Sequence, residues 1–179
     1  MTGTNLWHDV PRGENIPETM NAIIEITQGT ANKYEIDKET GLIKLDRVLY
    51  GSQYYPFDYG FVPQTLWSDG DALDVLVLAS FPLLPGTLVE VRPVGVLTMN
   101  DSGESDDKVL AVPVGDPRFN HVQNLADIGE HQLKEIDNFF TTYKALQGKT
   151  VTTDGFHGKE AAHKVIAQSI ELYNEKFTK

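Results

Sequence analysis

The stretch Asp69-Gly70-Asp71-Ala72-Leu73-Asp74-Val75-Leu76-Val77-Leu78 joins three crowded carboxylates to an apolar segment typical of a buried β-strand. Carboxylates this close repel one another, so the cluster requires a cation among them. On a straight strand, Asp69 and Asp71 would share one face and Asp74 would point to the other. Gly70 allows a sharp backbone turn, which brings the three side chains toward one point, as a hard cation such as magnesium requires.

Short strand-like segments recur on both sides of this stretch. The segment 37–41 ends in glycine and separates two of them, so it predicts a hairpin. Many short strands in sequence favour a small closed β-barrel over a parallel sheet. The predicted strands cover residues 22–26, 33–36, 42–47, 58–62, 73–79, 87–97 and 108–113.

Two segments in the last third of the chain have helical periodicity. The first covers residues 130–146, and Gly148 is its predicted stop. The sequence contains no repeat or linker, so we predict one domain over residues 1–179, of the β-rich α+β class with two amphipathic helices packed on the barrel. The apolar positions are Leu133, Ile136, Phe140 and Tyr143 in the first segment, and Ala162, Val165, Ile166, Ser169, Ile170, Tyr173 and Phe177 in the second.

Composition excludes several classes of protein. The net charge of −11 opposes nucleic-acid binding, which needs a basic face. The chain has no cysteine, so disulfides and thiolate metal sites are excluded. The start shows no basic segment followed by an apolar run, and the apolar region 75–84 is too short to span a bilayer, so we expect a cytoplasmic protein without membrane contact. An anionic substrate is compatible with this charge only if bound metal ions reverse the local sign.

A second acidic cluster, Asp101-Ser102-Gly103-Glu104-Ser105-Asp106-Asp107-Lys108, lies between two predicted strands and is typical of a hairpin loop. Exposed acidic hairpins are common and usually carry no function. If this hairpin faces the first cluster, however, Asp101 and Asp106 complete an oxygen-rich cage for metal ions.

A third set of residues is suited to phosphate. Arginine holds phosphate oxygens in a bidentate fork, lysine as a point charge, and tyrosine through its hydroxyl. The Tyr143-Lys144 pair falls on the last turns of the first predicted helix, while Glu25 and Glu35 lie inside strands, where they either face water or serve a site. No glycine-rich phosphate loop or nucleophile elbow is present. The candidates are Lys33, Arg47, Tyr55, Tyr59, Lys108, Tyr143 and Lys144.

These residues together resemble the soluble family I inorganic pyrophosphatases of the prokaryotic type. The signature is Asp69-Gly70-Asp71-Ala72-Leu73-Asp74-Val75, and the similarity extends over essentially the whole chain in the family's order. The further matching stretches are 33–38, Arg47, 54–60, 92–97, Asp101 with Asp106 and Lys108, 111–113, and 139–144.

The resemblance implies an OB-type five-stranded β-barrel with flanking strands and helices, usually assembled as a homohexamer. It implies hydrolysis of pyrophosphate to two orthophosphates with several Mg²⁺ ions, for which Mn²⁺ or another divalent metal can substitute. By position, the metal ligands would be Asp69, Asp74, Asp101 and Asp106, with Glu25 and Glu35 serving outer metals. Asp71 would orient or deprotonate the attacking water, a role that Asp106 can also fill. The phosphate oxygens would be held by Lys33, Arg47, Tyr59, Tyr143 and Lys144, supported by Tyr55 and Lys108.

Two positions depart from the family pattern. Ala72 replaces the usual proline or glutamate and carries no chemistry. Ser102 stands where many bacterial members have a second acid, and this difference affects the affinity or coordination of a third metal ion.

Three other functions remain open at this point. These are a metal-dependent phosphohydrolase acting on nucleotides or phosphate esters, an OB-fold nucleic-acid-binding module, and a metal-buffering protein. The net charge opposes the second, and the phosphate-type basic set has no purpose in the third.

Overall fold

The structure, a computed structural model, describes residues 4–178. Nine β-strands and two α-helices form within this range. The strands are β1 (Met20–Ile26), β2 (Asn32–Ile36), β3 (Ile43–Val48), β4 (Asp58–Phe61), β5 (Asp74–Val77), β6 (Leu88–Asp101), β7 (Glu104–Ser105), β8 (Lys108–Pro113) and β9 (Val151–Gly158), and the helices are α1 (Glu130–Thr142) and α2 (Lys159–Phe177).

Five strands form a closed ring of hydrogen-bonded neighbours, in the order β1, β4, β5, β8, β6 and back to β1. All neighbours in the ring are antiparallel except β5 and β8, which are parallel. Strand β9 extends the sheet from the other side of β6, and β2 pairs with β3 in a separate hairpin. The prediction of a β-rich α+β fold around a closed five-stranded β structure is confirmed.

Strand register brings charged residues side by side. In the parallel pair of β5 and β8, Asp74 lies beside Lys108. In the antiparallel hairpin of β2 and β3, Lys33 lies beside Arg47. Side chains of directly paired residues point to the same side of a sheet, so each pair presents both of its charges in one place.

Strand β5 is buried on both of its faces. Leu76 packs in a cluster that includes Ile136 of α1, whereas Val75 and Val77 pack in a second cluster that includes Ile166 of α2. A strand covered on both faces has no polar side to alternate with. This explains the continuous apolar run that follows the aspartate cluster in the sequence.

Gly60 of β4 lies where two strands approach most closely. A Cβ atom at this position would stand 1.9 Å from the carbonyl oxygen of Ile23 in β1. Only glycine therefore allows β1 and β4 to pair here, and this pairing fixes the position of Tyr59, the preceding residue of β4.

Three elements show the largest differences from the sequence-based prediction. The strand β9 was not predicted, because Asp154 and Gly155 interrupt its β-branched pattern; Gly155 has a φ of +92° and lies at a register shift against β6. Strand β6 runs on to Asp101, four residues beyond the predicted end at Leu97. Helix α1 ends at Thr142, so Tyr143 and Lys144 follow the helix instead of forming its last turns.

Asp58 is fully buried and links two loops to β4. Its Oδ1 accepts hydrogen bonds from the backbone N–H groups of Gln28 (2.8 Å) and Leu83 (3.1 Å), and its Oδ2 has no partner among the described residues. We expect Asp58→Ala to lower the free energy of unfolding by about 2 kcal/mol or more, because it leaves two N–H groups without an acceptor. Urea unfolding measures this change. Asp58→Asn keeps an acceptor oxygen and should cost less; equal losses in the two variants would contradict the hydrogen-bonding role.

The same aspartate makes stability depend on pH. Burial raises the pKa of Asp58 above its ordinary value, despite the opposing hydrogen bonds from Gln28 and Leu83. The folded protein then holds this proton more tightly than the unfolded chain, so the contribution of Asp58 to stability falls as pH rises from the unfolded pKa, about 3.9, to the higher folded one. The difference in unfolding free energy between wild type and Asp58→Asn should show this trend.

Within residues 4–178, no helix combines the length and the apolar character needed to cross a membrane. The predicted single domain includes residues 1–3 and 179, which lie outside the described residues. Its extent over 1–179 stays a prediction.

Candidate active site

A cavity of about 290 Å³ opens beside the ring of strands, at the lower end of the usual volumes for small-molecule sites. Among the described residues, eight carboxylates and five cationic side chains line it, together with two tyrosines. The excess of negative charge suits a site that takes up metal cations. The charged lining residues are Glu25, Glu35, Asp37, Asp69, Asp71, Asp74, Asp101, Asp106, Lys33, Lys38, Arg47, Lys108 and Lys144, and the tyrosines are Tyr59 and Tyr143.

The first aspartate cluster is shaped by a turn at Gly70, whose φ is +89°. The backbone N–H of Asp71 donates to Asp69 Oδ1 at 3.1 Å, and the N–H of Trp67 donates to the carbonyl of Asp71 at 2.8 Å. The chain then enters β5 at Asp74. The three carboxylates, which a straight strand would direct to opposite faces, thus line one cavity.

The second cluster reaches the same cavity from the hairpin between β6 and β8. Asn100 pairs with Ser105 at the base of this hairpin, and Ser102 at its tip has a φ of +58°. Asp101 forms an ion pair with Lys144 and accepts a hydrogen bond from Ser102 Oγ at 2.9 Å. Burial acts to raise the pKa of Asp101, but the hydrogen bonds from Lys144 and Ser102 outweigh it and lower that pKa.

Lys108 is the cation at the centre of the carboxylates. The residue is only 2% exposed and forms ion pairs with Asp74 and Asp106. The hydroxyl of Tyr59 also donates to Asp74. Burial disfavours the charged ammonium, but Asp74 and Asp106 outweigh burial and hold the pKa of Lys108 above its ordinary value. Lys108 therefore supplies one positive charge to two carboxylates, which leaves one negative charge unbalanced when both are ionised.

Two other acids in the cavity have no ion-pair partner within residues 4–178. Burial raises the pKa of Glu25 to about 8, although the backbone N–H of Ile36 donates to its carboxylate at 2.8 Å. Burial also raises the pKa of Asp69 to about 6, although the N–H of Asp71 donates to it. Both groups would be stabilised in their charged form by a nearby cation.

The paired strands β2 and β3 supply cationic groups. Lys33 contacts Glu35, and its Nζ lies 3.3 Å from Asp46 Oδ2. The Nη1 of Arg47 donates to the same oxygen at 2.7 Å. The Nε of Arg47 is buried and has no hydrogen-bond partner among the described residues. Arg47 lines the cavity, and the bonding capacity of its guanidinium is only partly used by Asp46.

Tyr143 and Lys144 reach the cavity from the end of α1. The backbone N–H of Tyr143 donates to the carbonyl of Phe139 at 2.8 Å, and the two rings stack at 5.1 Å. Tyr55 is the one member of the predicted set that does not line the cavity. It is buried behind Tyr59, and its ring centroid lies 4.8 Å from that of Phe139 and 6.1 Å from that of Tyr59.

Among the residues of the cavity wall to which no sequence motif assigned a role, Lys38 and Trp7 lie next to the proposed base. Lys38 forms an ion pair with Asp71, and Trp7 lies under Lys38. Lys38 is the last residue of a stretch that matches the family, so its position carried a signal. Trp7 lies in an irregular segment far from every motif, and no sequence pattern indicated it.

The carboxylates do not yet form a metal cage. Within residues 4–178, no three acidic or histidine side chains converge closely enough to hold one ion. Lysines contact these carboxylates instead. Lys108 forms ion pairs with Asp74 and Asp106, and Lys144 forms one with Asp101. The donor set nevertheless consists of hard oxygens, which suits Mg²⁺, and the raised pKa values of Glu25 and Asp69 indicate acids that lack a cation.

Comparison with known proteins identifies the family. The sequence profile described as inorganic pyrophosphatase matches residues 22–174. The chain belongs to the inorganic pyrophosphatase family. It is 49% identical over 174 residues to the inorganic pyrophosphatase of Haloferax volcanii, which covers 97% of this chain and 98% of that protein. It is 46% identical over 169 residues to soluble inorganic pyrophosphatase 3 of Arabidopsis thaliana, covering 94% of this chain and 78% of that protein.

The likeness extends to three dimensions. The crystal structure of the inorganic pyrophosphatase from Thermus thermophilus superposes with a TM-score of 0.92 at 47% identity, covering 96% of this chain and 99% of that one. The predicted membership of the inorganic pyrophosphatases and the predicted OB-type fold class are confirmed. Enzymes of this family depend on metal ions. Family membership also decides against the nucleic-acid-binding and metal-buffering alternatives.

Proposed function

We propose that this inorganic pyrophosphatase hydrolyses pyrophosphate to two orthophosphates with Mg²⁺, in the cavity beside the strand ring. The observation that carries the proposal is the composition of the cavity wall, where hard-oxygen ligands for metal ions and cationic groups for phosphate oxygens stand together. Neither the carboxylates nor the cationic groups would suffice alone, because pyrophosphate and the carboxylates repel one another without metal ions.

The proposed metal ligands are Asp69, Asp74, Asp101 and Asp106, with Glu25 and Glu35 for outer ions, mostly through water. In the protein alone, Lys108 and Lys144 form ion pairs with three of these carboxylates. Metal uptake therefore requires the carboxylates to exchange a lysine contact for an ion. A bound Mg²⁺ supplies charge neutralisation and lowers the pKa of a coordinated water. Mn²⁺ has a similar preference for oxygen ligands and should support some activity.

The same exchange releases lysines for the substrate. Once Lys108 and Lys144 leave their carboxylates, their ammonium groups can bind phosphate oxygens together with Arg47 and Lys33. Tyr59 and Tyr143 add hydroxyl donors from the cavity wall, and Tyr55 supports Tyr59 from behind. The cationic groups stabilise the charge that develops on the transferring and leaving phosphates.

Asp71 is the proposed residue that orients and deprotonates the attacking water. Its side chain is 62% exposed, and its ion-pair partner Lys38 is also on the open rim of the cavity. Asp106, the alternative proton acceptor, is 16% exposed and is paired with the buried Lys108. The more accessible carboxylate is better placed to receive a proton from water.

The decisive experiment measures phosphate release from pyrophosphate with and without Mg²⁺, beside ATP and a phosphomonoester. We expect Mg²⁺-dependent release from pyrophosphate and much slower release from the other two, because the charged side chains of the cavity wall suit metal ions and phosphate oxygens on both halves of the substrate, and not an organic group. Activity on the esters with none on pyrophosphate would overturn the proposal and favour the general phosphohydrolase alternative.

Asp74→Asn tests the proposed metal site. The variant keeps the side-chain volume but loses a charge, so we expect the Mg²⁺ concentration for half-maximal activity to rise at least about tenfold, the lower limit when a metal site loses even a supporting residue. Calorimetric titration of Mg²⁺ into the protein without substrate gives an independent reading. The control Asp154→Asn changes an exposed aspartate outside the cavity; equal Mg²⁺ dependence in both variants would remove Asp74 from the ligand set.

A homohexameric assembly and a cytoplasmic location stay predictions that follow from the resemblance and the composition. Size-exclusion chromatography with light scattering tests the first. A mass other than six chains would contradict it.

A further inference from the structure

The ion pair between Lys38 and Asp71 has a third participant. The Nζ of Lys38 donates to Asp71 Oδ1 and at the same time stands 4.7 Å from the centre of the Trp7 ring, in the geometry of a cation–π contact. All three residues line the cavity. We infer that Lys38, held by the ring of Trp7, is a positioning residue that orients the carboxylate of Asp71 for its reaction with water.

Trp7 is a fixed platform for the lysine. Trp7 is only 9% exposed. Its indole Nε1 donates to the carbonyl of Thr65 at 2.7 Å, and its backbone carbonyl accepts from the N–H of Gln64 at 2.8 Å. The indole is therefore held on both its side chain and its backbone. A cation resting on such a ring has fewer accessible positions than a lysine in open solvent.

The platform is completed by the end of the chain. The ring of His8 stacks on Trp7 at 4.6 Å, and the ring of Phe177 meets Trp7 edge-on at 5.5 Å. His8 Nδ1 forms a hydrogen bond of 2.8 Å with the hydroxyl of Tyr173. We call Trp7, His8, Tyr173 and Phe177 the terminal aromatic group. It anchors the segment that carries Trp7 to the last turns of α2.

Asp71, by contrast, has little to hold its carboxylate. It follows Gly70 in an open turn, and among residues 4–178 the only side chain that bonds to its carboxylate is Lys38. The side chains of Lys38 and Asp71 are 57% and 62% exposed, and exposed ion pairs add little to folding stability, so stability does not account for this contact. Orientation does, since a displacement of about 1 Å at a reacting group can cost up to about a hundredfold in rate.

The inference rests on the proposed function, and the test separates the two. Lys38→Met should lower kcat for pyrophosphate by about tenfold and leave KM nearly unchanged, because the carboxylate loses its orientation while phosphate binding is kept. Lys38→Arg should retain most of the activity. The matched control is Lys44→Met on the same hairpin; Lys44 faces Asp37 at 3.9 Å and does not line the cavity, so its removal should change neither constant.

A double-mutant cycle shows whether Lys38 acts through Asp71. In an Asp71→Asn background, Lys38→Met should cause no further loss of kcat, because the group that it orients is already absent. An equal loss in both backgrounds would overturn the inference. A rise in KM at constant kcat would also overturn it, by making Lys38 a substrate contact. If the unmodified enzyme releases no phosphate from pyrophosphate, the proposed function itself fails.

Trp7 variants test the platform. Trp7→Phe keeps an aromatic face under Lys38, so it should retain more kcat than Trp7→Leu, which removes that face. Thermal unfolding of both variants checks that the assay temperature lies well below Tm. Equal kcat values for the two variants would overturn the role of the Trp7 ring. The role of Lys38 would then be decided by the double-mutant cycle with Asp71 alone.

Discussion

Asp71→Asn is expected to lower the turnover of pyrophosphate by roughly a hundredfold or more, the usual scale when a general acid–base group is removed. Asparagine has nearly the same shape as aspartate but cannot accept a proton from water at neutral pH. Asp71 is proposed as a base and not as a metal ligand, so Mg²⁺ binding should be largely kept. Steady-state kinetics at saturating Mg²⁺ and calorimetric Mg²⁺ titration measure the two effects separately.

The control for this variant is Asp154→Asn, an equal change of charge at an exposed site away from the cavity. Turnover near that of the unmodified enzyme in Asp71→Asn would remove Asp71 from the role of base. Asp106 would then become the proton acceptor. This is the less favoured outcome, because the side chain of Asp106 is 16% exposed against 62% for Asp71, so water reaches it less readily.

Lys108→Met is expected to lower the free energy of unfolding by about 3–5 kcal/mol when a chelator is present, the usual cost of removing one partner from a buried ion pair. Asp74 and Asp106 would face each other with no cation between them, and burial already raises the pKa of Asp74. Methionine has a similar length to lysine, so the loss reports mainly on charge. Chemical denaturation at neutral pH measures it.

Mg²⁺ should restore part of this loss, since an ion bound to the proposed ligands replaces the missing ammonium. The gain in unfolding free energy on adding Mg²⁺ should thus be larger in Lys108→Met than in the unmodified enzyme. Lys134→Met is the matched control, because Lys134 forms an exposed pair with Glu130 on α1 and should change stability by less than about 1 kcal/mol. Equal gains from Mg²⁺ in all three proteins would contradict the exchange of lysine for metal.

The core strands of the fold could be predicted where burial leaves a simple pattern. Strand β5 is covered on both faces, so its apolar run was readable from the sequence. Strand β9 was not, because Gly155 adopts a positive φ at a register shift and Asp154 is polar and exposed. Its place in the sheet comes from pairing with β6, a tertiary contact that local propensity does not encode.

The identity of the site residues was more predictable than their partners. Crowding of Asp69, Asp71 and Asp74 is visible in the sequence, and it demands a cation. That the cation beside Asp74 is Lys108, 34 residues away, follows from the parallel register of β5 and β8, which no local pattern reveals. Trp7 was out of reach for the same reason, because its contact with Lys38 exists only once distant segments have packed.

The terminal aromatic group has a consequence for the order of folding. His8 and Tyr173 are 165 positions apart in the sequence, so the contact that joins them closes a long loop and carries an entropy cost that local contacts do not. The surface under Lys38 should therefore form late, after the strand ring and helix α2 have assembled. A partly folded chain that already holds every proposed metal ligand in place would still lack the finished cavity wall beside Asp71.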